Sequence, residues 1–158
     1  MQHTVGISDM KCSNEPGDVL VAYSLGSCVG LTLHDPVARV GGLMHCMLPL
    51  SRIDAAKARA IPTMFVDTGV PCLLEGLLGL GAQRERLVAK VAGAASLLDE
   101  KNLFKVGERN YTVLRKMLWR NDILIAAEDV GGTAARTMIL HMNTGRTTIR
   151  SRGREVPL

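Results

Sequence analysis

The chain has 158 residues, a length that suits one compact domain with a core of its own and is short for two. Its 19 Lys and Arg exceed its 15 Asp and Glu, and 47% of its residues are hydrophobic, which excludes a disordered or acidic solvating chain. Aromatics at 3% are too few for a module that stacks single-stranded bases, so no nucleic-acid partner is expected despite the formal charge of +4.

Residues 1–11 carry His3, Asp9 and Lys11 among apolar positions, with no basic start leading into an apolar run, so no signal peptide is expected. Residues 3–8 alternate around Val5 and Ile7 and read as a strand, followed by a turn at Asn14-Glu15-Pro16-Gly17. A second strand, 18–23, is interrupted by Ser24-Leu25-Gly26-Ser27. Residues 28–34 then alternate, with Val29, Leu31 and Leu33 on one face and Cys28, Gly30, Thr32 and His34 on the other. Asp35-Pro36 opens a turn, and a return strand over 39–48 stops at Pro49. This is a hairpin whose arms carry Cys28 and His45. The uncharged stretch 19–33 is too short to span a bilayer and is broken by Gly26 and Gly30, so a cytoplasmic location without membrane insertion is expected.

The period then changes. Residues 55–60 and 62–80 follow helical spacing, with Pro62 suited to a first turn and Pro71 expected to kink or interrupt the run. Residues 85–91 read as a strand, 108–120 as a helix with Tyr111, Leu114 and Leu118 inward, and 123–127 as a strand. Residues 137–142 and 147–151 flank a hairpin turn at Asn143-Thr144-Gly145-Arg146. Strands first and a mixture afterwards predict an α+β fold in a single domain over 1–158. Arg146, Arg150, Arg152 and Arg154 against Glu155 supply most of the net charge, and 152–158 read as a basic tail.

Gly26-Ser27-Cys28 is the sharpest local feature. Gly26 and Ser27 permit a tight turn that exposes the sulfur and aims backbone N–H groups at a developing oxyanion. His45 on the return strand is the candidate base, because a Cys-His pair activates a thiol when the imidazole can reach the sulfur. From these residues alone, a buried cysteine and a satisfied core histidine stay open as alternatives. Cys12, Cys28, Cys46 and Cys72 are too widely spaced for paired zinc ligands, and a cytosolic setting disfavours disulfides, so no metal is expected. Cys46 and Cys72 read as core. His34 and His141 read as solvated or hydrogen-bonded strand residues. Asp67, Thr68, Glu128 and Asp129 read as structural.

Leu25-Gly26-Ser27-Cys28-Val29-Gly30, then His34-Asp35-Pro36-Val37-Ala38-Arg39-Val40-Gly41-Gly42, then His45 with Met47-Leu48-Pro49, resemble the CheD family of chemoreceptor glutamine deamidases. Lys90-Val91-Ala92-Gly93-Ala94-Ala95-Ser96, Val106-Gly107-Glu108-Arg109-Asn110, and Ala127-Glu128-Asp129-Val130-Gly131-Gly132 followed by Arg136 extend the resemblance over about residues 4–152. The resemblance implies a β-sandwich-like core of mixed sheets with helices packed outside. It implies Cys28 as nucleophile, His45 as its base, and no cofactor. It further implies a glutamine on the cytoplasmic helices of chemotaxis receptors as substrate, and a CheC-type phosphatase as partner. One position departs: Ala22 stands where the family carries a threonine as a third catalytic group, which leaves Ser24, a backbone carbonyl or a water to orient His45. That departure keeps a second reading open, a weakly catalytic or non-catalytic module that regulates the phosphatase. A Cys-His amidase or acyltransferase on another substrate is a third, since a dyad does not name its acyl donor.

Overall fold

The computed structural model describes residues 1–96 and 105–158, which form two five-stranded sheets and three α-helices. The first sheet has the order β1-β3-β8-β9-β10, with β1 Gln2–Thr4, β3 Val19–Leu25, β8 Arg136–His141, β9 Arg146–Ser151 and β10 Arg154–Pro157. The second has the order β2-β5-β4-β6-β7, with β2 Asp9–Ser13, β5 Val40–Cys46, β4 Val29–Asp35, β6 Val88–Gly93 and β7 Ile125–Val130. Helices α1 Ala55–Ala60, α2 Val66–Gly79 and α3 Val106–Arg120 complete the set. The α+β expectation holds, and both sheets are mixed: β1 runs parallel to β3 and β7 parallel to β6.

Every residue of β4 and β5 is buried, because these two strands are covered on both faces. Val29, Leu31, Leu33, Met44 and Cys46 face outward, against Val70, Leu73 and Leu77 of α2 and Leu114 and Leu118 of α3. Leu43 faces inward with Leu20, Leu25, Met138 and Leu140, closing the space between the sheets. Gly30, Thr32 and His34 alternate with the outward set and so share that inner face with Leu43 and His45. The layers are therefore sheet, sheet, helices. Fully burying one Leu or Val side chain contributes about 1.5–3 kcal/mol, so these two apolar layers dominate the favourable side of folding.

The hairpin read from Asp35-Pro36 is present. Asp35 Oδ1 accepts the N–H groups of Val37 at 2.9 Å and Ala38 at 3.0 Å, an Asx turn that fixes the register Gly30 to His45 and His34 to Gly41. Several expectations need correction. The strand expected over 3–8 ends at Thr4, and residues 5–8 cross from one sheet to the other before β2 begins. Strand β2 has Asp9 and Lys11 outward, and β10 is exposed along its whole length. Neither edge strand therefore carries the apolar alternation that marks a buried one. Residues 154–157 are thus a strand paired with β9 rather than a free tail. Residues 62–64 form a separate 3₁₀ turn before α2, and α2 runs through Pro71. Pro71 lies on the exposed side, where water can satisfy the carbonyl its ring leaves unpaired. Among the described residues, no helix is long and apolar enough to cross a membrane.

Candidate active site

The turn Gly26-Ser27-Cys28 links β3 to β4 at one end of the sandwich. The register of β3 against β8 shifts between Ala22 and Leu25, and Ser24 adopts φ +55°, so a bulge redirects the chain just before the turn. All three carbonyls of the turn are then held. Gly26 O accepts from Ala95 N at 2.8 Å, Cys28 O from Ala94 N at 2.8 Å, and Ser27 O from Asn110 Nδ2 at 2.9 Å. Gly93 permits this approach: its φ is +96°, and a Cβ there would overlap the Cys28 carbonyl. Among the described residues the Ser27 and Cys28 N–H groups donate to no carbonyl, and the Cys28 N–H lies against its own sulfur. Ser27 is exposed and Cys28 half-buried, so the turn is reachable from solvent.

His45 pairs with Gly30 across the hairpin, and Cys28 precedes Gly30 by two residues, so the Cys28 and His45 side chains start from the same inner face. Cys28 packs against the apolar cluster between the sheets. His45 is 2% exposed, and its Nδ1 lies 3.2 Å from the carbonyl oxygen of Val5. A carbonyl only accepts, so Nδ1 carries the proton and Nε2 presents a lone pair. That Nε2 is buried and has no hydrogen-bond partner. Burial pushes the Cys28 thiol up from its ordinary value, partly offset by its own backbone N–H. Burial pushes the His45 imidazole down, partly offset by the Val5 carbonyl. At rest Cys28 is thus a neutral thiol and His45 a neutral imidazole. The two are not hydrogen-bonded to each other.

A family model described as CheD chemotactic sensory transduction matches residues 47–151. The chain is 47% identical over 149 residues to the probable chemoreceptor glutamine deamidase CheD 1 of Syntrophus aciditrophicus, covering 94% of this chain and 93% of that protein. It is 47% identical over 157 residues to the probable chemoreceptor glutamine deamidase CheD of Solibacter usitatus, covering 99% and 93%. A protein of the same name from Pyrococcus horikoshii is 41% identical over 150 residues, covering 92% and 90%. The chain belongs to the CheD family.

Within this CheD chain, the position of the implied third catalytic group is occupied by Ala22, fully buried between the sheets. Ser24 is exposed and cannot serve in its place, and Tyr23 accepts a hydrogen bond from Gln2 on the outer side. The group that meets the His45 ring is instead the Val5 main chain. Val5 N donates to Val21 O at 2.7 Å, so β3 itself fixes the carbonyl that holds His45. No residue pattern signals a backbone carbonyl, which is why sequence leaves it open. Asn110 likewise carries no role in the sequence reading. Its only signal is an amide at a fully buried helix position.

The remaining cysteines are free thiols: Cys46 is buried, and Cys12 and Cys72 are half-buried. Cys72 is less covered than its leucine neighbours suggest, because it follows the solvent-facing Pro71. Cys46 lies on the opposite face from His45 and points at Phe65 O, 3.7 Å away. His34 differs from expectation: it is buried, and its Nε2 has no partner. His141 is hydrogen-bonded to Thr148 Oγ1 at 3.1 Å. Asp67 accepts from Ser51 N and Oγ, both at 2.9 Å, while Glu128 accepts from Tyr111 and Asp129 pairs with Arg136. These carboxylates brace the fold.

Proposed function

We propose that this chain, as one deamidase domain over 1–158, converts glutamine side chains on the cytoplasmic helices of chemotaxis receptors to glutamate in the cytoplasm. The observation that carries the reading is the buried, unpartnered Nε2 of His45 on the face shared with Cys28. The names of the curated relatives support the substrate.

In this mechanism Cys28 Sγ bonds to the amide carbon as His45 Nε2 takes the thiol proton. The Ser27 and Cys28 N–H groups receive the oxyanion. Collapse breaks the carbon–nitrogen bond, and His45 returns its proton to departing ammonia. Water then attacks the thioester while His45 takes the water proton. The sulfur–carbon bond breaks, glutamate forms, and the proton returns to sulfur. A neutral His45 at rest suits this sequence, since it must accept before it donates. Ala22 is the one feature favouring a non-catalytic module, and the Val5 carbonyl answers it by supplying the orienting acceptor.

The test is incubation with receptor cytoplasmic fragments and peptide mass mapping. Wild type should convert defined glutamines, and Cys28→Ala should convert none. Conversion by Cys28→Ala overturns the nucleophile. The resemblance also carries a CheC-type phosphatase as partner, and binding of it should survive Cys28→Ser, which separates that role from catalysis.

A further inference from the structure

Asn110 lies near the start of α3, is fully buried, and uses one amide nitrogen twice. Its Nδ2 donates to Ser27 O at 2.9 Å and to Met47 O at 3.1 Å. Ser27 is the residue before Cys28, and Met47 is two residues beyond His45. Among the described residues no other side chain is hydrogen-bonded to both segments. Both acceptors are carbonyls, so both bonds require an amide N–H₂ at this position. The price is visible on the same side chain: Oδ1 is buried and has no partner. An apolar residue would fill a helix-to-sheet contact without that unpaired acceptor. The unpaired oxygen is tolerated where the amide ties the turn of the nucleophile to the strand of the base.

We infer that Asn110 is a positioning residue that sets the separation of Cys28 and His45, and with it the rate of sulfur–carbon bond formation. The inference rests on the assignment of that pair in the proposed function. Asn110 touches neither reacting atom. It acts by holding the Ser27 and Met47 backbones, and a displacement of the order of an ångström at a reacting pair costs about a hundredfold in rate.

The test uses the full chain carrying Asn110→Asp, which keeps the volume but turns an acceptor oxygen toward both carbonyls, and Asn110→Ser, which removes the amide without adding charge. Asn121→Ala is the control. It removes an amide at the other end of α3, where Asn121 Nδ2 donates to Met117 O at 2.7 Å and Oδ1 accepts from Arg84 at 3.0 Å. Three quantities are read: kcat and KM on a receptor fragment, the thermal midpoint, and the rate of Cys28 alkylation by iodoacetamide across pH. Both Asn110 variants should lose about a hundredfold in kcat with KM within about threefold of wild type. Their alkylation rates at neutral pH should fall toward that of His45→Gln. Asn121→Ala should lower the thermal midpoint and leave kcat and alkylation unchanged. A folded Asn110 variant with wild-type kcat, or an equal loss of kcat in Asn121→Ala, overturns the inference. If Asn110→Asp does not fold, Asn110→Ser decides. If wild type deamidates no receptor, the functional reading fails separately, and an unchanged alkylation profile in Asn110→Ser still overturns the positioning role.

Discussion

His45 and His34 stand on neighbouring antiparallel strands, face the same inner layer, are both buried, and both have an Nε2 without a partner. Burial pushes both imidazoles down from their ordinary value; Asp35 pulls His34 partly back and Lys90 pushes it further. What differs is the surroundings. His45 lies at the end of the hairpin that holds Cys28, with a backbone acceptor that fixes its tautomer. His34 lies at the turn end, under Gly145, whose φ of +75° and missing Cβ let the β8–β9 turn settle on the imidazole ring. An unpaired buried nitrogen therefore does not make a base. What sets His45 apart is a cysteine at the same end of the hairpin and an acceptor on the far nitrogen.

The largest effect should separate the two histidines. His45→Gln is expected to lower kcat about a thousandfold, the scale of general acid–base catalysis, while His34→Gln leaves kcat within about threefold. Comparable losses in both variants, measured by ammonia release at saturating receptor fragment, would erase the distinction. The pH profile adds the sign. In the proposed mechanism the base form of His45 is the active one, and burial lowers its pKa, so activity should persist below the usual imidazole range before it falls.

The His34 end is read as structural, and its neighbour Asp35 tests that. Asp35 is 0% exposed, and burial alone would raise its pKa. The Gln83 and Ala38 N–H groups, the Arg86 guanidinium and the Val37 N–H outweigh burial and hold it at about 2. With the folded value below the unfolded carboxylate value of about 3.9, the stabilisation is present above that pH and is lost as pH falls toward 2. Asp35→Asn should cost about 3 kcal/mol in urea unfolding at neutral pH, since it leaves Arg86 without its partner. It should also flatten the acid limb of stability and leave kcat of the folded enzyme near wild type. A loss of kcat without a loss of stability would move Asp35 into the catalytic machinery.

The smallest effect concerns Ala22. If the Val5 carbonyl already orients His45, Ala22→Thr should not raise kcat by more than about twofold, and it should reduce stability by about 1–2 kcal/mol through a hydroxyl placed among apolar side chains. A tenfold gain would show that His45 is poorly held in the natural chain.

The parts that sequence made legible are those with a periodic or stereochemical signature. Alternation along β4 placed Cys28 on a defined face, and Asp35-Pro36 announced the turn that sets His45 opposite Gly30. The helix over 108–120 was visible because Leu114 and Leu118 recur at its buried stripe. Strands β2 and β10 were not, because edge strands with charged or exposed faces carry no apolar period. Nor were the two groups that organise the site. Val5 contributes a carbonyl that any residue would have. Asn110 contributes an amide whose partners, Ser27 and Met47, are 83 and 63 residues away in the chain.

The central claim is that a covalent bond forms between Cys28 and the receptor glutamine. Hydroxylamine added during turnover tests it most directly, because it captures a thioester as a glutamyl hydroxamate that peptide mass mapping locates. The account predicts hydroxamate at the same receptor positions that otherwise become glutamate, and neither product with Cys28→Ala. Glutamate formed by wild type with no hydroxamate at any hydroxylamine concentration, or either product formed by Cys28→Ala, would contradict it.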